Sequence, residues 1–141
     1  MDEQNRTDNE AVRQAVLDYV EGVYDVDPTK IERSVHPDLV KGGFFKKDGE
    51  AQYNFTSMSF MQFVELSRHY NLDGKMPSNA AKEITVLDIQ EQIASAKLEA
   101  WWGIDYMHLA KYANRWIIVH VLWQTHPDLD NRLASIETSG S

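Results

Sequence analysis

The chain contains no cysteine, which excludes disulfides, thiolate metal sites and a cysteine nucleophile. Basic residues are in the minority, 14 against 22 acidic for a net charge of −8, so nucleic acid and anionic membranes are poor partners. No basic cluster with interleaved aromatics reverses that locally. No apolar run approaches the length of a membrane span, and the opening MDEQNRTDNE is acidic and polar, the opposite of a secretory signal. A cytoplasmic protein is expected. There is no Gly-x-Ser-x-Gly elbow to suggest a serine hydrolase, no glycine-rich phosphate loop, and no low-complexity block. The five histidines show no helical or hairpin ligand spacing with a carboxylate, so neither a metal nor another cofactor is expected.

What is present is apolar and aromatic: 43% hydrophobic and 11% aromatic in 141 residues, enough for one domain with its own core. That domain is expected over residues 1–126, with residues 1–6 frayed and 127–141 a loose tail. Thr7 with Glu10 reads as a capping box before a stripe of Val12, Val16, Tyr19, Val20 and Val23, which predicts a first helix. Asp27-Pro28 starts a short second helix with Ile31 and Val35 inward, ended at His36-Pro37. Residues 39–47 and 51–57 read as a hairpin, with Gly42-Gly43 marking a bulge or bend. Ser59 with Gln62 caps a third helix reaching about residue 70, and 71–81 is a loop.

Four strands are then expected over 83–91, 93–102, 104–113 and 115–125. Short turns between consecutive strands require antiparallel pairing, and helices followed by a meander give an α+β fold. The final strand, RWIIVHVLWQT, is apolar on both sides. Strict alternation sets Trp116, Ile118, His120 and Leu122 on one side and Ile117, Val119, Val121 and Trp123 on the other. Only one side can face the helices, so the second predicts a homodimer through the sheet face.

Several stretches resemble members of the nuclear transport factor 2-like superfamily. They are Tyr19-Val20-Glu21-Gly22 with Tyr24, His36-Pro37-Asp38-Leu39, Ile93-Ala94-Ser95-Ala96-Lys97, Ile104-Asp105-Tyr106-Met107-His108-Leu109, and Arg115-Trp116-Ile117-Ile118 to Trp123. Within the superfamily they are similar to the putative lumazine-binding or SnoaL-like bacterial branch. The resemblance implies three N-terminal helices on a curved, mainly antiparallel sheet, closed into a cone with a pocket. Such cones host isomerases, dehydratases, hydrolases and binders, so the fold does not fix the function.

The candidate catalytic residues are His36, Asp105 and His120. His36, at a helix end where the resembled cone opens, suits a general base or a cap on the helix carbonyls. Asp38 falls near the position of the ketosteroid isomerase aspartate, but the surrounding motif is missing and a turn role fits it. If Tyr112 pairs with Arg115, His120 lies opposite Met107 and diagonal to Asp105, an acid–base couple under Trp102; a one-residue slip sets His120 opposite His108 instead. Tyr24, Phe44, Trp102 and Trp116 are the candidate ligand-binding aromatics, with core packing as the alternative for each. The leading expectation is a small-molecule-binding domain for a flat or hydrophobic metabolite. The rivals are a cofactor-independent isomerase or dehydratase and a protein-interaction module.

Overall fold

A computed structural model describes residues 2–47 and 49–127. The elements run α1 (Asp2–Tyr24), α2 (Pro28–Ser34), β1 (Val35–Phe45), β2 (Asn54–Met58), α3 (Phe60–Ser67), β3 (Lys82–Ile89), β4 (Ile93–Ala100), β5 (Gly103–Tyr112) and β6 (Arg115–Thr125). The helices cover one face of a single six-stranded sheet in the order β2-β1-β6-β5-β4-β3. Every neighbouring pair is antiparallel except β1 with β6, whose long connection permits parallel pairing. This is the expected α+β cone fold.

Local chemistry accounts for most element ends. Asp27 accepts from the Thr29 backbone N–H at 3.1 Å ahead of Pro28 in the first turn of α2. Ser59 and Gln62 form a reciprocal capping box that opens α3. Ala113 and Asn114 both take positive φ, 48° and 65°, in the two-residue turn that joins β5 to β6. The start of α1 corrects the sequence reading. The helix runs from Asp2, so Thr7 lies inside it and residues 2–6 are helical. Asp8, the next residue, is buried where it accepts from the Trp116 indole at 3.1 Å, so tertiary bonding at this end outweighs the capping signal. The expected tail lies, beyond Pro127, outside the described residues.

The core is the contact between the α1 stripe and the inner sheet face. Val12, Val16, Tyr19, Val20 and Val23 meet Ala96, Leu98, Met107, Leu109 and Ile118, all essentially fully buried. Each large side chain here contributes about 1.5–3 kcal/mol of burial before chain entropy is counted. A bidentate pair between buried Asp18 and Arg33, at 2.8 and 3.0 Å, ties α2 to α1.

A bulge in β6 decides which side chains face the core. Leu109 pairs with Ile118, but His108 pairs with His120, leaving Val119 as the extra residue. Alternation restarts there, so Trp116, Ile118, Val121 and Trp123 point inward and Ile117, His120 and Leu122 outward. This corrects the expected two sides: Val121 and Trp123 have moved in, and His120 and Leu122 out. The two-residue turn pairs Tyr112 with Arg115, the condition for the first of the two registers, but the bulge then produces the second, slipped one. Gly42 and Gly43, expected at a bulge or bend, instead pair regularly with Ser57 and Thr56. A Cβ on Gly43 would lie 2.1 Å from the Trp123 indole, and one on Gly42 2.6 Å from the Phe55 ring. The glycines make room for rings lying on the strand.

Candidate functional site

Asp105 is the centre of the site. On β5 it sits between Leu98 and Trp123 on the neighbouring strands and is completely buried. A buried carboxylate needs partners. The Tyr19 hydroxyl of α1 donates to its Oδ2 at 2.9 Å and the Trp102 indole N–H to its Oδ1 at 2.8 Å. The Lys41 ammonium of β1, also buried, donates to the same Tyr19 hydroxyl. That hydroxyl therefore links a buried cation to a buried anion, accepting from one and donating to the other. The Lys41 Nζ also lies 4.2 Å from the Phe63 ring centroid and 4.8 Å from that of Tyr19, in cation–π range.

Burial dominates the electrostatics. It raises the Asp105 carboxyl above the ordinary carboxylate range, although Lys41, Trp102 and Tyr19 each pull it down. Burial likewise brings the Lys41 amine down to about 8, opposed by the charge of Asp105. Tyr19 is pushed well above its usual value by burial and by the adjacent carboxylate. Two groups with opposite charge preferences are thus shifted toward neutrality and joined by a hydroxyl, which is a proton path of two hydrogen bonds.

Trp102 connects this cluster to the surface. Its ring packs edge-on against Tyr24 at 5.8 Å and Tyr70 at 5.6 Å, while its N–H reaches Asp105. Tyr70 and Trp101, with Asn71, Asp73, Lys75 and Met76, line an open cleft of roughly 330 Å³. The Tyr24 hydroxyl donates to the Ala81 carbonyl and accepts from the Trp101 N–H at 2.8 Å, holding the β4–β5 turn in place. Gly103 follows with φ 157°, where a Cβ would meet the Gln124 carbonyl oxygen at 1.9 Å, so only glycine admits this approach behind Trp102.

Of the residues singled out in the sequence, Asp105, Trp102 and Tyr24 come together here. The others lie elsewhere. His120 faces outward and meets His108, because the Val119 bulge turned it away from Asp105. His36 stacks against Tyr112 at 5.2 Å, and its Nδ1 accepts from the Asp38 N–H at 3.0 Å, so it serves a local turn. Phe44 is exposed and packs on Phe55 across the β1–β2 hairpin. Trp116 is buried at the Asp8 end of α1, seven residues along β6 from Trp123. Trp102 and Tyr24 therefore share one site, and Phe44 and His36 lie away from it.

Lys41 was missed, and Tyr19 reads from the sequence as a ring of the helix stripe or of a pocket wall, with no sign of the polar role of its hydroxyl. Lys41 carried a usable signal: alternation from Leu39 places it on the buried face, where a lysine breaks the pattern.

The architecture matches solved structures of the nuclear transport factor 2-like class. A protein of unknown function from Shewanella baltica aligns with TM-score 0.69 at 18% identity, covering 86% of this chain and 96% of that one. One from Silicibacter pomeroyi aligns with TM-score 0.65 at 16% identity, covering 86% and 98%. A protein described as a putative scytalone dehydratase from Novosphingobium aromaticivorans aligns with TM-score 0.59 at 10% identity, covering 89% and 88%. These identities speak for the fold alone. No curated protein matches the chain. The chain belongs to the family described as "Putative lumazine-binding", whose model matches residues 7–124.

Proposed function

We propose that the protein binds a small, flat, largely apolar metabolite at the Trp101–Tyr70 cleft, with Trp102 coupling the bound ligand to the Lys41–Tyr19–Asp105 cluster buried behind it. The observation that carries this reading is the double engagement of Trp102. One indole packs against the cleft ring Tyr70 and also bonds the buried carboxylate. A ligand that moves Trp102 therefore changes the hydrogen bonding of Asp105. The family's description makes lumazine, a flat bicycle with carbonyl acceptors, a reasonable probe. Titration of the intact chain with lumazine, followed by tryptophan fluorescence, is expected to saturate, and Trp102→Phe to weaken it at least tenfold. An unchanged signal from the wild-type chain would remove this reading.

The shifted carboxyl of Asp105 favours a second reading, cofactor-independent proton transfer of the isomerase or dehydratase type. Asp105 would exchange the proton, and Tyr19 and Lys41 would restore the balance. Turnover lost in Asp105→Asn while probe binding persists would support it.

We further infer a homodimer through the outer sheet face. Val40, Phe44, Phe55, Tyr106 and Leu122 share that face and are between 45% and 64% exposed, a contiguous apolar surface that a second copy would bury against itself. An acidic, cysteine-free composition suits the cytoplasm, and no helix among the described residues is long and apolar enough to cross a membrane.

A further inference from the structure

The β6 bulge that removed His120 from the cone brought it to a new partner. His108 and His120 sit directly opposite on β5 and β6, both exposed on the outer face. Their Nδ1 atoms are 3.2 Å apart, with ring planes 72° to each other. Two imidazoles on one tetrahedral ion at about 2.0–2.1 Å have nitrogens about 3.3 Å apart, and adjacent positions of a square-planar ion about 2.9 Å. The observed separation falls between these values. We propose that His108 and His120 form a bidentate site for a divalent first-row transition ion such as zinc, nickel or copper.

The strand pairing supplies the preorganisation. Backbone hydrogen bonds fix both residues in register, so the second nitrogen binds with little further loss of freedom. In the metal-free pair one Nδ1–H donates to the other Nδ1. On binding, the histidine protonated at Nδ1 takes the Nε2–H tautomer, and both Nδ1 lone pairs face the ion with no net loss of a proton from the pair. Among the described residues no third histidine or carboxylate joins the pair to make a larger ligand group. The flanking strands offer Ser95 opposite His108 and Val40 opposite His120, with Lys97 two pairs further along opposite Tyr106. In the single chain, water therefore completes the coordination. A second copy closed over this face would bring its own pair to the same surface. The within-chain site is independent of the cleft and does not need that dimer.

Calorimetric titration of the full chain with zinc, nickel and copper salts tests the site. Wild-type protein should bind one ion per chain, or one per two chains if the partner's pair closes on it. Each of His108→Ala and His120→Ala should weaken binding at least tenfold, and His36→Ala should leave it unchanged. Nitrogen NMR should show both imidazoles coordinated through Nδ1. Both substitutions lie on the surface, and melting curves confirm that the variants fold. Equal affinity in wild type and in either histidine variant, or coordination through a single imidazole, would overturn the proposal.

Discussion

The Tyr19 hydroxyl donates to Asp105 at 2.9 Å across 86 residues of sequence, joining the first helix to the fifth strand inside the core. Its removal should be costly. Tyr19→Phe keeps the ring that packs on Phe63 at 4.8 Å but leaves Lys41 without its hydroxyl acceptor and Asp105 with one donor fewer. Urea unfolding should show a loss of about 1–3 kcal/mol. A change within error would mean that water replaces the hydroxyl.

Lys41 sets a pH signature. Its amine titrates at about 8 in the folded protein and near the ordinary 10.5 when unfolded. Between these values the unfolded chain holds more protons, so this group makes stability rise with pH across the window. The stability difference between wild type and Lys41→Met should therefore shift in favour of wild type from pH 8 to 10.5. Parallel stability–pH curves for the two proteins would refute the buried, depressed amine.

Gly43 tests the seat of Trp123. Gly43→Ala places a methyl where the indole lies, 2.1 Å from its nearest atom. Overpacking of this kind costs about 1–3 kcal/mol, read as a lowered denaturant midpoint. Full stability in the variant would show that the indole has room to move away.

The outer face tests assembly. Leu122 is 55% exposed on the apolar side of β6, and Leu122→Glu should convert a dimer to a monomer in sedimentation at micromolar concentration without unfolding it. If the wild-type chain sediments as a monomer, a second copy does not cover this surface.

How far the sequence reached follows from what each signal measures. Capping chemistry and hydrophobic period report local structure, so α2 and α3 are legible from Asp27-Pro28 and Ser59/Gln62. The Val119 bulge was not, because it arises from pairing with β5 and inverts every later side chain of β6 without changing composition. For the same reason the sequence offers Asp105 as a candidate but leaves open whether His120 pairs beside it or opposite His108, and the bulge selects the second. Asp105 bonds to residues on α1 and in the β4–β5 turn, and its charge balance rests on β1, relationships set by tertiary packing.

The cleft beside Trp102 is proposed as the small-molecule site, and the dissociation constant of a flat bicyclic carbonyl probe tests it in wild type, Trp102→Phe and the outer-face control Leu122→Glu. Binding at the cleft predicts at least a tenfold loss in Trp102→Phe, whose ring packs but cannot donate to Asp105, and no loss in Leu122→Glu. Equal affinity across all three proteins, or loss only in Leu122→Glu, would contradict it.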